Sequence, residues 1–237
     1  MWGIGAGCVS SGGARCAAGR EGEGGEWERR GREVRGQVGA LDTDRGRVRD
    51  GGRLFSRVAV VLHALDGLPP LRERVARQAL SAQDATAAYV QLVAGLLGVV
   101  FEAADRATDP QVSRSLVALF NFMHGKEPAG QERAPGARCL AAACIDAVGQ
   151  QQWHHLIESQ QACFQVFTDF ADAHVLRADQ ASRDPAVQVA VERLRRIGHS
   201  TRRELDPNLS HEWYDWCTRR IDAMRAVEDV LARHRRE

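Results

Sequence analysis

Lysine is almost missing from this chain. Of the 32 basic residues in 237, Lys126 is the only lysine and the other 31 are arginines. They face 31 acidic residues, for a formal net charge of +1. That balance excludes a global basic field directed at nucleic acid, and it excludes an acidic solvating tail. No unbroken apolar run reaches 18 residues. The longest apolar stretch, from Tyr89 to Phe101, is interrupted by Gln91, Gly95 and Gly98, so no membrane-spanning helix is expected. The amino terminus lacks the cationic start and long apolar centre of a secretory leader, and the expected location is cytoplasmic. The six cysteines (Cys8, Cys16, Cys139, Cys144, Cys163 and Cys217) form no CxxC pair. They are too sparse for a disulfide framework and are expected to be reduced and mostly buried.

Catalytic motifs are missing too. There is no GxSxG, no GxxxxGK[ST], and no GxGxxG ahead of a helix. No ExxH pair provides a di-iron carboxylate set. His211-Glu212 opens like a zinc-protease motif, but the residue four places after His211 is Asp215. His154, His155 and Glu158 stand within one helical turn, where partly exposed polar residues are the plainer reading. The expectation is a protein that is not an enzyme and carries no cofactor.

Apolar spacing defines what is present. Residues 1–52 hold 15 of the 23 glycines and few apolar side chains, so this segment is expected to bury too little surface to offset its ordering entropy. From residue 53 to 237 the chain reads as helix after helix. Leu54, Val58, Val61, Leu62 and Leu65 share a face before Gly67 and Pro69-Pro70 break the run. Ser81 with Asp84 resembles a capping box. Asp109-Pro110 and Asp184-Pro185 are N-cap and first-turn pairs. Ser210 is placed as the cap of the last helix, which carries Trp213, Trp216, Ile221, Met224, Val227, Val230 and Leu231. No period-2 strand pattern occurs. The fold class is therefore all-α, an antiparallel bundle of about seven to eight helices.

One stretch carries more than packing. In HGKEPAGQERAPGAR (residues 124–138), Lys126, Gly130 and Arg133 are spaced i, i+4, i+7 and share a helix face, two cations flanking a residue without a side chain. A glycine inside a helix costs about 1 kcal/mol relative to alanine, which calls for a close approach there. Pro128 removes a backbone donor and is expected to kink the helix.

The motif Lys126-Glu127-Pro128-Ala129-Gly130-Gln131-Glu132-Arg133-Ala134 resembles the central KExAGxERA signature of the NIT family, the nitrate- and nitrite-sensing domains of bacterial signalling proteins. Leu68-Pro69-x-Leu71-Arg72 with the Tyr89 helix resembles the family's segment before the motif. Trp213, Thr218-Arg219-Arg220-Ile221-Asp222, Val227-Glu228 and Leu231 resemble its ending. The resemblance covers residues 54–235. It implies an all-helical sensor that holds nitrate or nitrite between helices through arginines, with no chemistry of its own. The matching anion-binding positions are Arg133 and Arg220, with Lys126, Glu127 and Gly130 as supporting motif residues. The family's opening helix carries a further arginine motif that has no counterpart among these residues. No output module is expected after residue 237, so a homodimer or a separate signalling output protein is the expected partner, and no direct nucleic-acid binding is evident in the sequence. The alternative is a ligand-free helical interaction or dimerisation module that keeps the bundle with a degenerate site.

Nitrate is planar and weakly hydrated, and arginine's planar fork stays charged when desolvated. Glu132 is expected to project about 100° away from Arg133, clear of the anion's place.

Overall fold

A computed structural model describes residues 52–142, 147–200, 206 and 208–233. Residues 1–51 of the glycine-rich segment 1–52, expected to lack order, lie outside them, and Gly52 begins the first helix. The described residues form helices α1 (Gly52–Asp66), α2 (Leu68–Ala76), α3 (Ala82–Arg106), α4 (Pro110–Gln131), α5 (Arg133–Ala142), α6 (Ala147–Phe170), α7 (Ala173–Ser182), α8 (Pro185–Gly198) and α9 (Asn208–Arg233). The protein is all-α. Nine helices lie among the described residues, close to the expected seven to eight, with a break at Ala171 and Asp172 separating α6 from α7.

Local chemistry explains the boundaries. Ser81 and Asp84 form one half of the capping box read from the sequence, with a side-chain contact in place of its reciprocal bond. The Asp84 N–H donates to Ser81 Oγ at 3.0 Å, and the Ser81 hydroxyl donates to the Asp84 carboxylate at 2.7 Å. Asp109 accepts from the Gln111 N–H and Asp184 from the Ala186 N–H, both at 2.8 Å. The last helix starts two residues before its expected cap. Asp206, rather than Ser210, accepts the first free N–H, that of Asn208, at 2.9 Å.

The two prolines of the central motif set a third boundary. Pro128 lies inside α4 and Pro135 in the first turn of α5. Each lacks the N–H that would reach back four residues, and the ring of Pro135 crowds the carbonyl of Gln131. Gln131 is where α4 ends. Glu132 joins the two helices with helical dihedrals (φ −60°, ψ −26°), and its N–H still donates to the Pro128 carbonyl at 2.8 Å.

Two compact units divide the chain, one running to residue 103 and the other beginning at residue 104. In the first, Val61 of α1 and Ala85, Val93 and Leu97 of α3 are buried. The carboxylate of Glu102 is also buried and lies 3.3 Å from Arg57 Nε. The stretches Gly52–Ala76 and Gln83–Arg106 are each long and apolar enough to cross a membrane, which corrects the expectation that none would be. An unbroken apolar run is too strict a test when polar residues are few and scattered, and the first stretch is interrupted by Gly67, Pro69 and Pro70.

In the second unit a core cluster joins Cys139 and Leu140 of α5, Trp153 and Ile157 of α6, Val187, Val191 and Leu194 of α8, and Trp213 and Cys217 of α9. Phe122 of α4 packs on Phe164 and Phe167 of α6 at ring separations of 5.8 and 4.9 Å. Close approach occurs at Gly136 and Gly198. A Cβ on Gly136 would fall well inside contact distance of the Trp213 ring, and one on Gly198 inside that of the Trp153 ring. These two positions let fully buried indoles lie against α5 and α8.

Candidate functional site

The buried stripe of α4 runs through Leu116, Leu119, Phe122, Lys126 and Ala129, and the same spacing carries on to Arg133 at the start of α5. Lys126 is therefore a cation on an apolar face. Its ammonium lies 2.7 Å from the Glu228 carboxylate of α9. Burial lowers its pKa, and Glu228 opposes that effect. Glu127 is half-buried and accepts from Gln131 Nε2 at 3.1 Å; burial raises its pKa. Gly130 is half-buried.

Arg133 is 5% exposed. It donates to Thr218 Oγ1 at 3.2 Å and lies over the Tyr214 ring at 5.1 Å, both on α9. Its carbonyl accepts from the Trp213 indole at 3.0 Å. Two helical turns along α9 from Trp213, Arg220 keeps 21% of its side-chain surface accessible.

Glu132 faces the other way, as expected, but the side it faces is an arginine site. Its carboxylate is fully buried. Arg195 of α8 grips it with both arms, Nε to Oε1 at 2.7 Å and Nη2 to Oε2 at 2.6 Å. The Trp153 indole donates to Oε1 at 2.9 Å and Gln160 Nε2 to Oε2 at 2.7 Å. Arg220 Nη1 stands 3.7 Å from Oε2. One of the two proposed anion-binding arginines already borders its carboxylate.

The electrostatics follow from this geometry. Burial alone would raise the pKa of Glu132. The hydrogen bonds and charge of Arg195, then Arg220 and Gln160, outweigh burial and leave it lowered. Burial opposes the charge of Arg195, but Glu132 and Glu192 more than compensate and its pKa is raised. Arg220 goes the other way: burial and the charge of Arg195 lower its pKa, and Glu132 only partly offsets them. Cys217 lies among these charges. Burial first, then Glu132, pushes its thiol up to about 12, against the opposing influence of Arg220, Arg195 and Arg133. The fold thus brings Arg133 and Arg220 into one charged neighbourhood, while Lys126 belongs to a separate pair.

Arg195 and Gln160 were not singled out from the sequence. A signal for Arg195 exists: Val187, Ala190, Val191, Leu194 and Gly198 define the buried face of α8, and Arg195 falls on it. A cation there needs a buried partner. Among the weaker candidates, His154 reaches Glu158 at 3.3 Å with both side chains exposed. Cys139 and Cys217 are buried, with the Cys139 thiol donating to the Gly198 carbonyl at 3.3 Å, and Cys163 is half-buried.

The chain matches the family model for nitrate and nitrite sensing over residues 5–235. It belongs to the nitrate- and nitrite-sensing (NIT) family. Among similar proteins is the nitrate regulatory protein of Klebsiella oxytoca, 33% identical over 178 residues, which covers 74% of this chain and 44% of that protein. The solved structure of the NasR transcription antiterminator is similar at a TM-score of 0.69 and 31% identity, covering 79% of this chain and 51% of that one. This NIT chain therefore spans about half the length of the relatives it matches. The NIT match also takes in more of the amino-terminal segment than the 54–235 read from the sequence.

Proposed function

We propose that this chain senses nitrate or nitrite by holding the anion at Arg133 and Arg220, between the α4–α5 junction and α9. It performs no reaction of its own, acts in the cytoplasm, and passes a shift in helix packing to an output partner. The observation that carries this reading is the under-compensated charge of Arg220. Its contact to a carboxylate is 3.7 Å long, and that carboxylate is already gripped by the bidentate Arg195. A singly charged anion beside Arg220 offsets the desolvation that lowers its pKa. A planar oxyanion also suits guanidinium donors coming from two helices. If the anion is held best in one of two helix arrangements, its arrival shifts the population toward that arrangement.

Isothermal titration with nitrate, nitrite and chloride tests the reading. Nitrate or nitrite is expected to bind more tightly than chloride. Arg133→Ala and Arg220→Ala are each expected to weaken binding by about tenfold or more while the helical circular dichroism is kept. Absence of binding, or binding indifferent to both substitutions, overturns it.

The interaction-module reading draws on a different place. In the first unit an apolar groove is lined by Val60, Val61, Leu68, Leu71 and Leu92, and Val60 is 67% exposed. If the chain is only such a module, sedimentation will show association that depends on concentration and is indifferent to nitrate.

A further inference from the structure

We infer that the ion pair of Lys126 and Glu228 positions the anion site: it fixes the register of α9 against α4, and with it the placement of Arg220 relative to Arg133. This rests on the anion reading above and concerns two residues outside the arginine cluster. The last helix meets the central motif at two places. At the α4–α5 junction, Trp213, Tyr214 and Thr218 hold Arg133. Farther along, Lys126 of α4 reaches Glu228 at 2.7 Å. The order of the contacts is reversed between the two elements, so motif and α9 run antiparallel. Lys126 precedes Arg133 by seven residues and Glu228 follows Arg220 by eight, about 10 and 12 Å of helix. Arg220 therefore lies between the two attachments. A slip of α9 along its axis would carry Arg220 away from its place beside Arg133.

Apolar contact between helices is non-directional and does little to forbid such a slip. The ion pair forbids it. One turn in one direction brings Met224 or Arg225 to Lys126, and one turn in the other brings Leu231. Either leaves an ammonium that is 2% exposed against an apolar side chain or a like charge, which is strongly penalised. Stability alone does not account for the pair. Glu228 Oε1 is buried and takes no hydrogen bond among the described residues, whereas Glu132 has four short donor contacts. Burial lowers the pKa of Lys126 by more than Glu228 and Asp222 restore, so the charge is kept at a net cost. A pair of this kind adds little stability over apolar residues of similar volume, and its best-attested use is to fix register.

The experiment combines nitrate titration with thermal melts on the wild type, Lys126→Met, Lys126→Met/Glu228→Met and the exchanged pair Lys126→Glu/Glu228→Lys. Lys126→Met strands Glu228, so Tm is expected to fall, and nitrate affinity to fall by about tenfold. The double methionine variant is expected to recover Tm without recovering affinity, because the buried charges and the register constraint go together. The exchanged pair restores the constraint, and its affinity is expected within about threefold of wild type. A double methionine variant that binds nitrate as tightly as wild type overturns the inference. So does one that fails to fold or melts no higher than Lys126→Met, since the pair then serves stability. An exchanged pair that binds no better than the double methionine variant overturns it too. A wild type that binds no nitrate refutes the sensing reading itself and this inference with it. Nitrate binding indifferent to the pair refutes this inference alone.

Discussion

Replacing Arg195 with methionine isolates the energetics of the buried cluster. Methionine keeps much of the length and apolar stem of arginine but leaves the Glu132 carboxylate, at 0% exposure, without its bidentate partner. Trp153 and Gln160 still donate one hydrogen bond each, and Arg220 remains 3.7 Å away. Removing one member of a buried pair costs about 3–5 kcal/mol, because the survivor is a buried charge without compensation. For a chain of this size that corresponds to a fall in Tm of roughly 6–20 °C. The double variant Glu132→Gln/Arg195→Met removes both charges and is expected to recover most of the loss, since a buried pair replaced as a unit is often close to neutral. Acid adds a second readout. The native pKa of Glu132 lies below its ordinary value of 4.5. The pair's stabilisation is therefore complete above that value and disappears as pH falls through the native pKa. In Arg195→Met that acid-dependent part should vanish. Thermal melts from pH 7 down to pH 3 measure both effects. A loss below about 1 kcal/mol at pH 7, the size seen for exposed pairs, refutes the claim that this ion pair is a buried structural element.

Two further outcomes follow from the packing. Gly198→Ala drives a methyl group into the Trp153 ring, which is anchored by its bond to Glu132; a loss of about 1–3 kcal/mol is expected in urea denaturation, and an unchanged midpoint counts against the close approach. The pKa of His199, which stacks on Trp153 at 4.6 Å, is lowered from 6.5 by burial first and by His154 second. Its NMR titration is therefore expected below that value, with native stability declining as pH falls from the ordinary histidine pKa through the lowered one; a midpoint at or above 6.5 contradicts the buried placement.

The sequence made the helices and most of their starts legible because capping is local chemistry. Ser81–Asp84, Asp109 and Asp184 act within three residues of themselves, and no distant contact is needed to read them. Asp206 was missed because Ser210 is an equally good cap two positions into the helix. The choice between them depends on where the preceding chain enters. The core indole Trp213 follows from the apolar spacing of the last helix, but the glycines that admit Trp153 and Trp213 do not. Gly130 drew attention through its place in a motif, whereas Gly136 and Gly198 matter because of a ring on another helix. Glu132 is the instructive case. Helix geometry gave its direction correctly relative to Arg133, but nothing local says what waits there. Arg195 is one of 31 arginines, and only the apolar stripe around it marks it as buried.

Glu132 and Arg133 are adjacent in the chain, and their side chains are held by different helices. Glu132 is tied to α6 and α8, and Arg133 to α9. One peptide unit therefore joins two groups of helices. On the proposed reading, a rotation that brings the guanidinium of Arg133 toward an anion would also turn the neighbouring carboxylate within the grip of Arg195, gearing movement at α9 to movement at α6 and α8.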